Sequence, residues 1–344
     1  MQQVDLYQYE TTGRLGTGAD YEVWAAVERQ TGKPVVLKRP LPQAVRHQLH
    51  AGIEARTDRL LQAYEVVGHA TPTLIPLLGY TQRANHDAYF GDALGREYRV
   101  IVAEHAAGIP LMASPMARVT GIPIGIGQNL FALFPLVQTT HAPSFGMHQQ
   151  LLDLEEAFYQ AGYLLLDLRP GNVFYQPADG RIAVIDGVVL TTPSSALHRR
   201  GRPVPDIYDF YLEMLKFYTT PEPPPVQASG YREPYGIRPT VDMGHELDRM
   251  ARQFRAVSEP GVREAALTMI RQVQQRTYAA FADFRQDLMA YLALVRRAHQ
   301  SLPALAEAKG AWAEALGWLG TDYWRQYRFR PEVELAEWRR AITP

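Results

Sequence analysis

Two short apolar segments, each followed by an oxygen-bearing side chain, constrain this chain more than any other feature. The first, Leu164–Leu166, leads into Asp167, and Asn172 follows five residues later. The second, Val184–Ile185, leads into Asp186. Short apolar runs bounded by turn residues predict buried strands, so three oxygen-bearing side chains are expected at strand ends. Amide and carboxylate oxygens suit a Mg²⁺–phosphate centre, and a remaining carboxylate can orient a hydroxyl. The structural alternative is an ordinary hairpin with turn-forming Asp and Asn.

Composition places the chain among globular proteins of more than one domain. Its 344 residues are 47% hydrophobic and 21% charged, so a sizeable core is expected, and the length predicts two domains or lobes. The net charge of −1 gives no global field that would favour nucleic acid or an anionic membrane. The absence of Cys excludes a disulfide framework and a thiolate zinc site, and it fits a reducing compartment. We therefore expect a cytoplasmic protein without a membrane span or a nucleic-acid partner.

The first forty residues read as a three-stranded meander. The expected strands are Tyr7–Leu15, Tyr21–Glu28, with Val23 and Ala25 on one face, and Pro34–Lys38. The turn between the first two, Gly16–Asp20, contains two glycines, which allow backbone amides to approach phosphates. Lys38 ends the third strand and supplies a point charge of the kind that binds phosphate.

A helix over 44–67, a polar hairpin tip over Thr81–Glu97 and a buried strand from Tyr98 to Gly108 follow in the sequence. Farther on, amphipathic periodicity predicts a helix over Met147–Ala161. Asp206 is placed to cap the next helix. The pattern after 241 is helical, with an apolar stripe and prolines at helix starts. The stripe consists of Leu288, Tyr291, Leu292 and Val295, and the prolines are Pro260, Pro303 and Pro331. The His residues, His148 among them, lack metal-ligand spacing and are interpreted as surface or satisfied core residues.

Taken in order, these motifs resemble those of the protein-kinase superfamily. Asp167–Asn172 and Ile185–Gly187 are similar to the catalytic loop, H-R-D-L-K-P-x-N, and to the D-F-G motif. Gly16–Gly18, Val23 and Val36–Lys38 are similar to the glycine-rich loop and the V-A-I-K strand. The resemblance spans roughly residues 9–220, with the order of the parts intact.

The resemblance implies a two-lobed α+β fold, with a β-rich N-lobe and a helical C-lobe that carries extra C-terminal helices. The N-lobe would comprise residues 1–103, and the C-lobe core, with hinge, insertion and catalytic loop, residues 104–240. Residues 241–344 would form the helical C-terminal part.

The resemblance also implies ATP and Mg²⁺ as cofactors. Asp167 would orient the acceptor hydroxyl, Asn172 and Asp186 would hold the metal, and Arg169 would keep a cation near the γ-phosphate, so that the catalytic set is Asp167, Arg169 and Asn172. Glu54 is the first choice for an ion pair with Lys38, with Asp58 and Glu65 as rivals. The residues expected around the nucleotide are Gly16, Thr17, Gly18, Val23, Lys38, Glu54, Glu104 and Ala106, the last two through their backbone.

Several positions depart from the family pattern. Leu165 and Leu166 replace the His and Arg before the catalytic Asp, and the Phe of D-F-G is missing. The segment from Asp186 to Asp206 is short and lacks an A-P-E motif, which makes a peptide acceptor doubtful. Asp20 lies at the expected loop tip, where a carboxylate close to a triphosphate is unfavourable. We therefore expect an open loop or weak nucleotide binding.

The leading hypothesis is a Ser/Thr protein-kinase-like phosphotransferase acting on a hydroxyl of a protein or a small molecule. One alternative is a small-molecule kinase similar to the aminoglycoside and choline phosphotransferases, and another is a pseudokinase that binds nucleotide or scaffolds a partner protein. Three further segments have no assigned role in this scheme. They are an apolar insertion at 112–146, which has no Lys, Arg, Asp or Glu after Arg118, a Pro-rich loop at 219–239, and the basic cluster 198–202, which is either a solvated charge run or an anion site for the acceptor.

Overall fold

A computed structural model gives the fold of the chain as two compact units, Met1–Ala106 and Ala107–Pro344. The described residues are 1–18, 20–47, 53–68, 70–110, 118–119, 122–123, 146–165, 172–176, 180–185, 190–191, 206–219 and 242–300. The basic cluster 198–202 lies outside these ranges, as do Pro303, Pro331, nearly all of the apolar insertion and all but the first residue of the Pro-rich loop.

Unit 1 is built on a six-stranded mixed sheet with the strand order β1-β5-β6-β4-β3-β2. All pairs are antiparallel except β1 with β5. The strands are β1 (Gln2–Gln3), β2 (Tyr9–Thr17), β3 (Tyr21–Glu28), β4 (Pro34–Pro40), β5 (Leu77–Tyr80) and β6 (Ile101–Glu104).

The predicted meander is present as β2, β3 and β4, with two corrections in its first strand. Tyr7 belongs to a 3-10 helix, Leu6–Gln8, because the Asp5 side chain accepts a hydrogen bond from the Tyr7 backbone N–H. The turn does not begin at Gly16, because Gly16 and Thr17 still pair with β3. The connection between the two strands is therefore shorter and tighter than predicted.

One face of the sheet packs on an apolar cluster that includes Leu37, Val100 and Val102. The segment predicted as a polar hairpin tip covers part of this cluster, which corrects that prediction. It contains the short helix α3 (Asp87–Phe90), and its Tyr89 and Phe90 pack against the cluster. These apolar side chains in a polar segment are the reason that it folds onto the sheet.

Two helices are found where the sequence predicts one helix over 44–67. The first, α1 (Pro42–His47), begins before the predicted start, and the second, α2 (Ile53–Val67), ends at the predicted end. The residues between them lie outside the described ranges. The buried side of α2 includes Thr57, Leu60 and Tyr64.

Unit 2 contains short antiparallel strand pairs and the remaining described helices. A three-stranded sheet has the order β12-β11-β7, and two further pairs are β10 with β13 and β8 with β9. These strands are β7 (Ile109–Pro110), β8 (Arg118–Val119), β9 (Ile122–Pro123), β10 (Leu164–Leu165), β11 (Val173–Tyr175), β12 (Ile182–Val184) and β13 (Leu190–Thr191). The helices are α4 (Gly146–Gln160), α5 (Ile207–Tyr218), α6 (Met243–Arg255), α7 (Pro260–Gln275) and α8 (Phe281–Gln300).

Helix ends and buried faces in unit 2 follow local sequence signals. Asp206 caps α5 in a capping box with Asp209, as its position predicts. Pro260 opens α7, and the predicted apolar stripe on α8 is buried. Among the described residues, none of the helices combines the length and the apolar character that crossing a membrane requires.

Candidate functional site

Lys38 lies in the interior of the unit 1 sheet, with a side chain that is almost completely buried. Its cross-strand partners are Val23 in β3 and Ile101 in β6, and Val23 in turn pairs with Gly16 in β2. Directly opposed residues in a sheet point to the same face. Gly16, Val23 and Lys38 therefore form one row on one face, as the motif order predicted.

A second row on this face is apolar. Ala25 pairs with Val36, and Val36 pairs with Ala103. Val23, Ala25 and Val36 are only half-buried. The face thus combines a small, partly exposed apolar surface with a cationic side chain at one end, an arrangement that can accept a planar ring and an adjacent anion.

The opposite face holds the neighbouring cation, Arg39, in an ion-pair network. Its Nε lies 2.7 Å from Glu22 Oε2, it also pairs with Asp92, and its guanidinium lies 4.1 Å from the Phe90 ring centroid. Burial would raise the pKa of the Glu22 carboxyl, but hydrogen bonds led by the one from Arg39 outweigh it and lower that pKa. Arg39 is therefore a structural cation.

The β2–β3 turn is held to the rest of unit 1 by several contacts. The Gly18 N–H donates to the Tyr21 carbonyl over 2.8 Å, and the Leu41 N–H donates to the Asp20 carbonyl over 2.9 Å. The Asp20 carboxylate pairs with Arg56 of α2 at 2.9 Å. The carboxylate that was expected to oppose a triphosphate thus has a cationic partner on the helix.

Glu54, the first choice to pair with Lys38, lies beside different charges. Burial is the main cause that raises the pKa of its carboxyl, and Arg83 and Arg99 act in the opposite direction. No salt bridge joins Glu54 to Lys38 within the described ranges. Of its rivals, Asp58 pairs with Arg99, and Glu65 lies 3.6 Å from the N-terminal amine.

The two predicted hinge residues lie at and just after the end of β6, the strand that pairs directly with β4, which carries Lys38. Glu104 ends β6, and its N–H donates to the Pro76 carbonyl over 3.0 Å. Ala106 is buried and is the last residue of unit 1. No backbone hydrogen bond joins Ala106 to another residue in the described part of the chain.

In unit 2, Asn172 directly precedes β11. The Ile185 N–H donates to the Asn172 carbonyl over 2.9 Å, and Val173 pairs with Val184. Asn172 and Ile185 therefore lie at the same end of the β11–β12 hairpin, and Asp186 is the next residue in the sequence. Asp167, Arg169 and Asp186 lie outside the described residues, so their roles stay predictions.

Sequence reasoning did not single out Glu155 of α4, and it left His148 as either a surface or a core residue. His148 and Glu155 are both completely buried, and neither carboxylate oxygen of Glu155 has a hydrogen-bond partner among the described residues. Burial lowers the pKa of His148 to about 3 and raises the pKa of Glu155 well above its ordinary value. Both residues share the helical periodicity of Leu151 and Phe158, and this periodicity is the signal that could have identified them.

Neither a metal-binding group of side chains nor a comparison with known proteins identifies the function of this chain further. Over the described ranges, no three His, Asp or Glu side chains form a group that could hold a metal ion. No protein-family model matches this sequence, and no curated protein matches it either.

Proposed function

We propose that this chain is an ATP- and Mg²⁺-dependent phosphotransferase that transfers the γ-phosphate to a hydroxyl group, with a protein-kinase-like fold. The observation that carries the proposal is the row Gly16–Val23–Lys38, which lies beside the half-buried apolar residues Ala25 and Val36. Each of these positions came from the sequence motif, and strand register places them on one face.

The chemistry of this face supports nucleotide binding. An aromatic base can pack on the apolar surface of Val23, Ala25 and Val36, while the Lys38 ammonium provides the charge for the phosphates. The backbone of Ala106, which follows the neighbouring strand β6, supplies a donor and an acceptor for the edge of the base.

Unit 2 contributes the groups proposed for the metal and the acceptor. Asn172 stands at one end of the β11–β12 hairpin, and Asp186 follows Ile185, which is hydrogen-bonded to Asn172. Oxygen ligands from Asn172 and Asp186 suit Mg²⁺, because this ion is usually bound by one or two protein ligands and completes its coordination with phosphate and water oxygens. Asp167 would orient the acceptor hydroxyl, and Arg169 would offset charge on the γ-phosphate. Catalysis of this type consists mainly of positioning and electrostatic stabilisation.

We favour an acceptor range similar to that of Ser/Thr protein kinases. The short stretch between Asp186 and Asp206, without an A-P-E motif, supports the alternative of a small hydroxyl-bearing acceptor. The substitutions at Leu165 and Leu166 and the missing Phe of D-F-G support the second alternative, a pseudokinase that binds nucleotide or a partner protein without turnover.

Labelled phosphate transfer separates these functions. The chain is incubated with Mg²⁺ and γ-labelled ATP, alone and with a panel of protein and small-molecule acceptors, and autophosphorylation is mapped by mass spectrometry. Asp167→Asn should abolish transfer and leave nucleotide affinity nearly unchanged, because Asp167 acts on the acceptor. Asp248→Asn, an exposed carboxylate on α6, is the matched control and should retain full activity. Unaltered turnover in Asp167→Asn would refute the assignment, and nucleotide binding without turnover on any acceptor would indicate a pseudokinase.

A further inference from the structure

We propose that Asp20 and Arg56 are positioning residues that hold the β2–β3 turn against α2 and so fix the backbone amides that receive the nucleotide phosphates. The inference rests on the proposed function, and it extends that function to two residues that the kinase motifs do not include. It also gives a role to Asp20, whose charge is otherwise unfavourable at this position.

Asp20 in the turn and Tyr21, the first residue of β3, contact two neighbouring residues of the helix. The Asp20 carboxylate lies 2.9 Å from the Arg56 guanidinium. The hydroxyl groups of Tyr21 and Thr57 are hydrogen-bonded. Because the Thr57 hydroxyl donates to the Ile53 carbonyl over 2.9 Å, the Tyr21 hydroxyl is the donor in this contact. A double contact of this kind fixes the twist of the turn as well as its distance from the helix.

The contacts are sheltered from solvent. The side chains of Arg56 and Asp20 are 24% and 12% exposed, and both Tyr21 and Thr57 are buried. A sheltered ion pair is screened less by salt than an exposed pair. Within the turn itself, the hydrogen bond from Gly18 to the Tyr21 carbonyl holds the glycine amides in register. A force that displaces Tyr21 from α2 therefore also displaces Gly18.

The pair also neutralises the Asp20 carboxylate, and this makes the two residues unequal. Asp20→Ala removes the contact together with the negative charge. Arg56→Ala removes the contact and leaves a free carboxylate near the turn, where it repels phosphate. Arg56→Ala should therefore weaken phosphate binding more than Asp20→Ala does.

A double-mutant cycle tests this role in the full-length protein. Calorimetry measures the Kd of MgATP and of adenosine for wild type, Asp20→Ala, Arg56→Ala and the double variant. Arg56→Ala should raise the Kd of MgATP about tenfold, within the range measured for coupled charge pairs. It should leave the Kd of adenosine, which has no phosphates, unchanged. In the Asp20→Ala background, the same substitution should change the Kd of MgATP by less than about twofold, because the carboxylate that Arg56 neutralises is gone.

Two results would overturn the proposal. A full tenfold loss from Arg56→Ala in the Asp20→Ala background would mean that Arg56 binds phosphate directly. An equal loss of adenosine affinity would mean that the substitution damages unit 1 as a whole. Arg29→Ala is the matched control, because Arg29 also pairs with a carboxylate, Glu10 of β2, but at the end of the β2–β3 pair that is remote from the turn. It should change neither affinity.

Hydrogen exchange separates a failure of this inference from a failure of the proposed function. The Gly18 amide should exchange faster in Arg56→Ala than in wild type and at the wild-type rate in Arg29→Ala. If wild type binds neither MgATP nor adenosine, the proposed function fails together with the phosphate role of the turn. The exchange rates of the Gly18 amide then decide whether the Asp20–Arg56 pair holds the turn. Equal rates in wild type and Arg56→Ala would show that it does not.

Discussion

The buried pair His148 and Glu155 predicts an unusual dependence of stability on pH. The Glu155 carboxyl has an ordinary pKa of 4.5, and burial raises it well above that value. Above pH 4.5 the unfolded chain loses a proton that the native state keeps, so the free energy of unfolding falls by about 1.4 kcal/mol per pH unit until the native pKa is reached.

His148 acts in the opposite direction. Its ordinary pKa is 6.5, and burial lowers it to about 3. Below pH 6.5 the unfolded chain gains a proton that the native state does not, so the free energy of unfolding falls as the pH decreases, again by about 1.4 kcal/mol per unit. Above pH 4.5 and below pH 6.5 the two slopes oppose each other, which predicts a weaker dependence on pH there than either group alone would give. From pH 4.5 to pH 3 the loss from His148 amounts to about 2 kcal/mol.

Urea titrations over a series of pH values, read by hydrogen exchange in peptides of α4 and α5, measure these slopes. Glu155→Gln should remove the loss that Glu155 contributes above pH 4.5, because the amide cannot ionise. His148→Phe should remove the loss below pH 4.5. A Glu155→Gln profile that runs parallel to the wild-type profile over the whole range above pH 4.5 would refute the reasoning.

Three other substitutions test separate parts of the account. Arg39→Met should destabilise unit 1 by about 3 kcal/mol, because it removes the buried cationic partner of Glu22 and leaves that carboxylate with Arg14, which is exposed, and adding Glu22→Gln should recover much of this loss in hydrogen exchange of β3 and β4. Gly108→Ala should destabilise the β7–β11 pairing by at least about 1 kcal/mol, since Gly108 has a φ of +95° and its added Cβ would lie 2.4 Å from a backbone oxygen; wild-type exchange in β11 would contradict this. Gln substitutions throughout the basic cluster should raise the acceptor KM and flatten its salt dependence without changing nucleotide affinity, whereas an unchanged KM and salt slope would show a solvated charge run. The three arginines to be replaced are Arg199, Arg200 and Arg202.

Local signals predicted much of the secondary structure. The bounds of β3 agree with the prediction, and Asp206 caps α5 where the sequence places it. The pairing of β2, β3 and β4 was predictable because two short glycine-containing turns join three consecutive strands. In each case the interaction that determines the structure joins residues that are close in the sequence.

Other features depend on contacts between distant residues, and the sequence did not reveal them. The Asp20–Arg56 pair joins residues 36 positions apart, and no periodicity marks it. The burial of Glu155 was not predicted, because a carboxyl group is normally expected to face solvent. The covering segment around Tyr89 reads as polar, and its few aromatic residues gain their role only from the sheet that they cover.

The most direct test of the central claim is a calorimetric titration of the wild-type protein and its Lys38→Met variant with MgATP. We expect MgATP to bind wild type at one site. We expect the affinity for MgATP to be about 10- to 100-fold lower in Lys38→Met, the range expected when a hydrogen bond to a charged group is lost. Affinity for adenosine should be equal in the two proteins. Absence of MgATP binding to wild type, or equal MgATP affinity in both proteins, would contradict the assignment of the Lys38 face as a nucleotide site.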